Sequence, residues 1–134
     1  MSQNLDATKW ECNGHTFELD MQDVDTVEKY EDAFATLSKE ELALPKEGKN
    51  STRVRAYCKM FRNLMDNLFG EGANIEIFGE KDNSRAVTEI YDKFLEFIVK
   101  QQTEFSNLQN KIQSKYSPNR AQRRAELKVK DGKS

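Results

Sequence analysis

The 134-residue chain is long enough for one domain with a core of its own, without disulfides or a metal as staples. Charged residues make up 33% and hydrophobic ones 37%, a mix that fits long solvated helical faces over a thin core, while eight Phe, four Tyr and one Trp exclude wholesale disorder. Net charge is −2, yet residues 114 to 134 carry seven Lys or Arg against Glu126 and Asp131, a net +5 that leaves −7 on residues 1 to 113. No basic region leads into an apolar run near the start, and no long apolar stretch follows, so neither a secretion signal nor a membrane span is expected. Cys12 and Cys58 show no CxxC spacing and read as free thiols of a reducing compartment.

Residues 1–9 read as a disordered N-terminus. From Trp10 to Met21, Asn13-Gly14 separates two short runs of alternating bulky and polar residues. Asn-Gly supplies the positive φ angles of a two-residue type I′ turn, so a β-hairpin is expected, with Phe17 and Leu19 on one face and Trp10 and Cys12 as cross-strand partners. A lone hairpin is marginal in water and must pack on something.

A first helix is expected after Val24, with Asp25 and Glu28 as its N-terminal signal and Val27, Tyr30, Phe34 and Leu37 as its apolar stripe. The capping pattern recurs from Ser38 to Glu41, which predicts a kink or restart there before Pro45 ends the segment. The second helix, STRVRAYCKMFRNLMDNLFG, takes Asn50 or Ser51 as cap and Gly70 as stop. Val54, Tyr57, Cys58, Phe61, Met65 and Leu68 form its stripe, and Arg53, Arg55, Lys59 and Arg62 load its solvated side.

Two Phe-Gly endings, Phe69-Gly70 and Phe78-Gly79, bracket a short helix or turn, each Gly serving as a left-handed cap. The third helix is the longest, from a cap near Asn83 to about Ser114, with Val87, Ile90, Tyr91, Phe94, Phe97, Ile98, Phe105, Leu108 and Ile112 in period. Its second half thins to Phe105, Leu108 and Ile112 among Gln and Asn, a stripe that awaits a partner or another copy of the chain. Ser117-Pro118 then breaks it.

The expected architecture is therefore α+β and predominantly α-helical: an N-terminal β-hairpin packed on a bundle of three principal helices, the third long and extended. Residues 10–116 form a single helical domain with its hairpin, and residues 117–134 a basic, mobile C-terminal tail.

No catalytic motif is present. His15, the single histidine, has neither a second histidine nor a suitably spaced third ligand and reads as an exposed turn residue. Asp20, Asp23, Asp25, Glu28, Glu31 and Asp32 follow solvent-face spacing. Gly70-Glu71-Gly72 lacks the Lys-Ser/Thr of a phosphate loop and follows a helix, not a strand. The basic tail, with Arg120, Arg123 and Arg124, has three readings: a solvated extension, a protein-binding segment, or, third in rank, a nucleic-acid contact. No aromatic past Tyr116 could stack a base, and an acidic body repels a polyanion.

The order of NGHTFELD, DVDTVEKYEDA, the NLFGEG and IFGEK pair, a long Phe-rich helix and a closing YSPNRAQRRA is similar to a small family encoded in phages and prophages of Gram-positive bacteria, and SPNRAQRR is its most specific piece. By size, helical character and this ending, it resembles the tail-assembly chaperones of long-tailed phages. That resemblance implies a non-enzymatic protein of the bacterial host cytoplasm, without cofactor, metal, membrane or small-molecule substrate. Its implied partner is the helical tape-measure protein or another copy of itself. The expected partner-binding residues are Phe105, Leu108, Ile112, Tyr116, Pro118, Asn119, Arg120, Gln122, Arg123 and Arg124. An inhibitor or regulator of a host defence complex, or a nucleic-acid module using the tail, are the alternatives.

Overall fold

A computed structural model describes residues 7–116. Expectations for residues 1–6 and for the tail, including Pro118, Asn119, Arg120, Gln122, Arg123 and Arg124, lie outside the described residues. The elements are strands β1 (Lys9–Cys12) and β2 (His15–Glu18) and helices α1 (Val24–Leu42), α2 (Asn50–Phe69), α3 (Ala73–Phe78) and α4 (Ser84–Tyr116). This is the α+β, mainly helical order expected, a two-stranded hairpin followed by helices. Two compact units divide the chain, Met1–Gln101 and Gln102–Ser134.

In the first unit the hairpin turns at Asn13 (φ 51°) and Gly14 (φ 78°), the pair of positive angles that Asn-Gly accommodates. It is antiparallel, with Trp10 opposite Phe17 and Cys12 opposite His15. Strand pairing starts at Lys9, and Thr8 already accepts a bond from the Leu19 amide at 2.8 Å, so Thr8 and Lys9 take part in the hairpin ahead of Trp10. Trp10, Phe17 and Leu19 are buried on one face. The Trp10 ring meets Phe94 edge-on at 5.3 Å and lies 6.2 Å from Phe69 and 6.4 Å from Phe97, so the marginal hairpin is held by aromatic packing on α2 and α4.

α1 departs from expectation at both ends. Its cap is Asp23, whose carboxylate accepts from the Thr26 amide (3.3 Å) and hydroxyl (3.1 Å). Asp25 sits instead in the first turn, where its charge complements the helix dipole. No restart occurs at Ser38: the helix runs on to Leu42, Leu37 stays buried, and Glu40 accepts from Asn63 of α2 at 2.9 Å. A capping pattern inside a packed helix is overridden by the contacts on its far face.

α2 contributes the widest apolar face, burying Cys58, Met60, Phe61, Leu64, Met65 and Leu68. Its N-cap position is Lys49, without a side-chain bond to the helix, and Asn50 is already helical. Gly70 (φ 108°, ψ 159°) and Gly79 (φ 74°, ψ −174°) end α2 and α3 in a region that glycine alone adopts readily, but neither is left-handed helical; that conformation belongs to Gly72 (φ 93°, ψ −13°), the cap of α3. α4 buries Val87, Phe94 and Ile98 and starts where the Asn83 side chain accepts from the Arg85 and Ala86 amides at 3.0 and 3.1 Å. Its helical assignment covers 33 residues, Ser84–Tyr116. Among the described residues no helix is long and apolar enough to cross a membrane.

The described part of the second unit, residues 102–116, is entirely helical.

Candidate functional site

Along residues 102–116 the apolar side chains recur at intervals of three and four, so Phe105, Leu108 and Ile112 share one helix face. Phe105 and Leu108 are half-buried and Ile112 is 43% exposed. The surrounding positions, from Gln102 and Thr103 to Gln113 and Ser114, are mostly uncharged polar residues. Tyr116 is the last residue of the helix. The structure thus puts three of the ten expected binding residues on one stripe and places a fourth at the helix end; the remaining six lie in the tail.

The other candidates lie in the first unit. His15, about half exposed, pairs its Nδ1 with Glu76 of α3 at 3.1 Å, beside the bond from Asn13 Nδ2 to the Ile77 carbonyl at 2.6 Å. These contacts seat the hairpin tip on α3. Among the described residues no group of three or more His, Cys, Asp and Glu side chains is placed to hold a metal ion. Cys12 and Cys58 are free, and burial pushes both thiols up from their ordinary value. At Cys58 the nearby Asp82 carboxylate adds to the rise and Arg62 opposes it.

Two shallow grooves of about 510 and 420 Å³ run between α1 and α2. Asp25, Glu28 and Asp32 line one, with Lys29 as its single cation; Glu40, Asp66 and Glu71 line the other. This surface is acidic, as the charge distribution along the sequence foretells.

Two polar clusters escaped sequence reasoning. Gln101, 4% exposed, accepts from the Met21 amide (2.5 Å) and donates to the carbonyls of Ala7 (3.0 Å) and Leu19 (2.8 Å). The signal was available: the three- and four-residue steps of α4 pass from Ile98 to Phe105 through position 101, and a Gln in an apolar stripe needs partners. Arg62, expected on the solvated side of α2, binds Asp82 (2.9 Å), the Asn74 side chain (2.9 Å) and the Lys81 carbonyl (3.0 Å), while Asn74 in turn donates to Asp66. Its partners come from the start of α3 and the loop that leads to α4, and a helical period does not reveal their approach to α2.

A hairpin packed on helices defines a mainly helical α+β protein, and the candidate site is an apolar stripe on the last of those helices. The chain belongs to a family described as "Family of unknown function (DUF6673)", whose model matches residues 13–127. No curated protein matches the chain. Nor does any solved structure.

Proposed function

We propose that the chain is a non-enzymatic tail-assembly chaperone of a long-tailed phage, acting in the bacterial host cytoplasm and binding the tape-measure protein during virion assembly. The observation that carries this reading is the Phe105, Leu108, Ile112 stripe, which offers one helix width of apolar surface bordered by hydrogen-bonding side chains. An amphipathic helical partner fits such a face through anchors at the same three- and four-residue spacing. The tape-measure protein, a very long helical chain, has that chemistry. The resemblance of VEKYE, LFGEG and SPNRAQRR to the phage family supports the same partner, and the basic tail adds a second contact through Arg120, Arg123 and Arg124.

Co-expression with a tape-measure protein tests it. The wild-type chain should retain the partner on an affinity column, and Phe105→Asp should release most of it while the circular dichroism spectrum stays unchanged. Equal retention by both proteins removes the stripe from the reading.

The acidic grooves of α1 and α2 favour one second reading, an inhibitor of a host defence complex in which acidic helical faces imitate nucleic acid. Binding to a bacterial nuclease complex, and not to a tape-measure protein, selects it.

A further inference from the structure

Counted in heptads, α4 places Tyr91, Ile98, Phe105 and Ile112 at a positions and Val87, Phe94, Gln101 and Leu108 at d positions. From residue 102 to residue 114 the charged side chains are Glu104 and Lys111, and both are g positions, flanking the seam on the same side. Seven residues apart, they stand about 10 Å from one another along the axis, too far to pair within the helix. Among the described residues neither has an ion-pair partner.

We infer that residues 102–111 pair with the same segment of a second copy of this chain as a short antiparallel coiled coil. In antiparallel pairs g positions face g positions, and a residues pack in layers against d residues. The arrangement that layers Phe105 on the partner's Leu108 brings Glu104 beside the partner's Lys111. By two-fold symmetry Lys111 meets the partner's Glu104, so both charges are neutralised in duplicate. The same register sets Gln102 opposite the partner's Gln109, two amides that can bond to each other. A parallel pair would put g against e instead, facing Glu104 with Gln109 and Lys111 with Tyr116, and neither charge would be met. Shifting the antiparallel pair by one heptad brings Lys111 against the partner's Lys111. Charge placement thus selects one orientation and one register.

This inference rests on reading residues 102–116 as a docking face, and it adds a regulation: self-pairing covers Phe105 and Leu108 until a helical partner displaces one copy. The contact is short, so the pair is weak and dissociates on dilution.

Sedimentation equilibrium of the purified full chain at low salt tests it without any partner. A concentration-dependent dimer is expected. Lys111→Glu, which sets Glu against Glu twice, should raise the dissociation constant about tenfold. The double variant Glu104→Lys/Lys111→Glu should restore the wild-type value, and Phe105→Asp should abolish the dimer with an unchanged circular dichroism spectrum. A monomer at every concentration, or a double variant no better than the single one, overturns the proposal. Retention of a tape-measure protein is read separately, so loss of self-pairing and loss of partner binding are distinguishable.

Discussion

Gln101 is joined to Leu19 by a 2.8 Å bond across 82 positions of sequence, and the same side chain also holds the Met21 amide and the Ala7 carbonyl. One amide therefore saturates three backbone groups where the hairpin leads toward α1. Gln101→Ala leaves those groups facing each other without partners, and a buried unsatisfied group costs more than a bond is worth. A loss of about 3 kcal/mol in unfolding free energy is expected from urea titration. Gln101→Glu should cost at least as much at neutral pH, because it replaces a donor with a carboxylate against two carbonyls. A Gln101→Ala midpoint equal to wild type would show that water takes over these bonds.

Arg62 and Asn74 form the second polar clamp. Asn74 accepts from Arg62 and donates to Asp66, so the three side chains act as a chain, and the guanidinium also lies 5.9 Å from the Phe78 ring centroid. Arg62→Met keeps the aliphatic stem and removes the bonds to Asp82 and the Lys81 carbonyl as well. A destabilisation of about 2 kcal/mol is expected, because charge-assisted bonds exceed neutral ones. Combined with Asn74→Ala, the double variant should lose less than the sum of the singles, as side chains sharing one network do. Strict additivity in the double-mutant cycle would show that the two act separately.

The parts of the fold legible in the sequence were those carried by local chemistry or by a long period. Asn13-Gly14 specifies its turn, and the apolar steps of α4 persist long enough to specify one helix. The cap of α1 was misplaced by two residues because Asp23 and Asp25 carry the same signal, and only the Thr26 bonds separate them. Gln101 and Arg62 were hidden for a different reason: their partners are backbone groups distant in sequence and the side chains of Asn74 and Asp82, whose approach leaves no periodic trace. Phe105, Leu108 and Ile112 were visible as a stripe. Their charged neighbours Glu104 and Lys111 gain meaning only when a second helix is laid beside them.

Stability should fall on the alkaline side. Burial raises Tyr30, Tyr91 and Cys58 above their ordinary values of 10.0, 10.0 and 9.0. For Tyr91 the neighbouring Tyr30, Glu41 and Tyr57 add to the rise. Above about pH 9 the unfolded chain loses protons that the folded chain still holds, so the unfolded state binds fewer and unfolding becomes easier as pH climbs. The stabilisation is fully present below the unfolded values and is lost progressively above them. Urea midpoints measured from about pH 8 to about pH 11 should stay level at first and then decline. A midpoint that is flat through this window would mean these groups titrate alike in both states.

Phe94 and Phe105 are the same residue type on the same helix and should behave in opposite ways. Phe94 is fully buried and packs edge-on against both Trp10 and Phe69, so Phe94→Ala should cost about 3 to 5 kcal/mol. Trp10, the one tryptophan, reports the outcome directly: its emission should shift to the red at a lower urea concentration than in the wild type. Phe105 belongs to the second unit, is half-buried, and neighbours polar residues on either side. Phe105→Ala should leave the Trp10 unfolding curve within about 0.5 kcal/mol of wild type while weakening both self-pairing and partner retention. If Phe105→Ala shifted the Trp10 transition as far as Phe94→Ala does, the stripe would be a stability element, and its assignment to docking would fall with it.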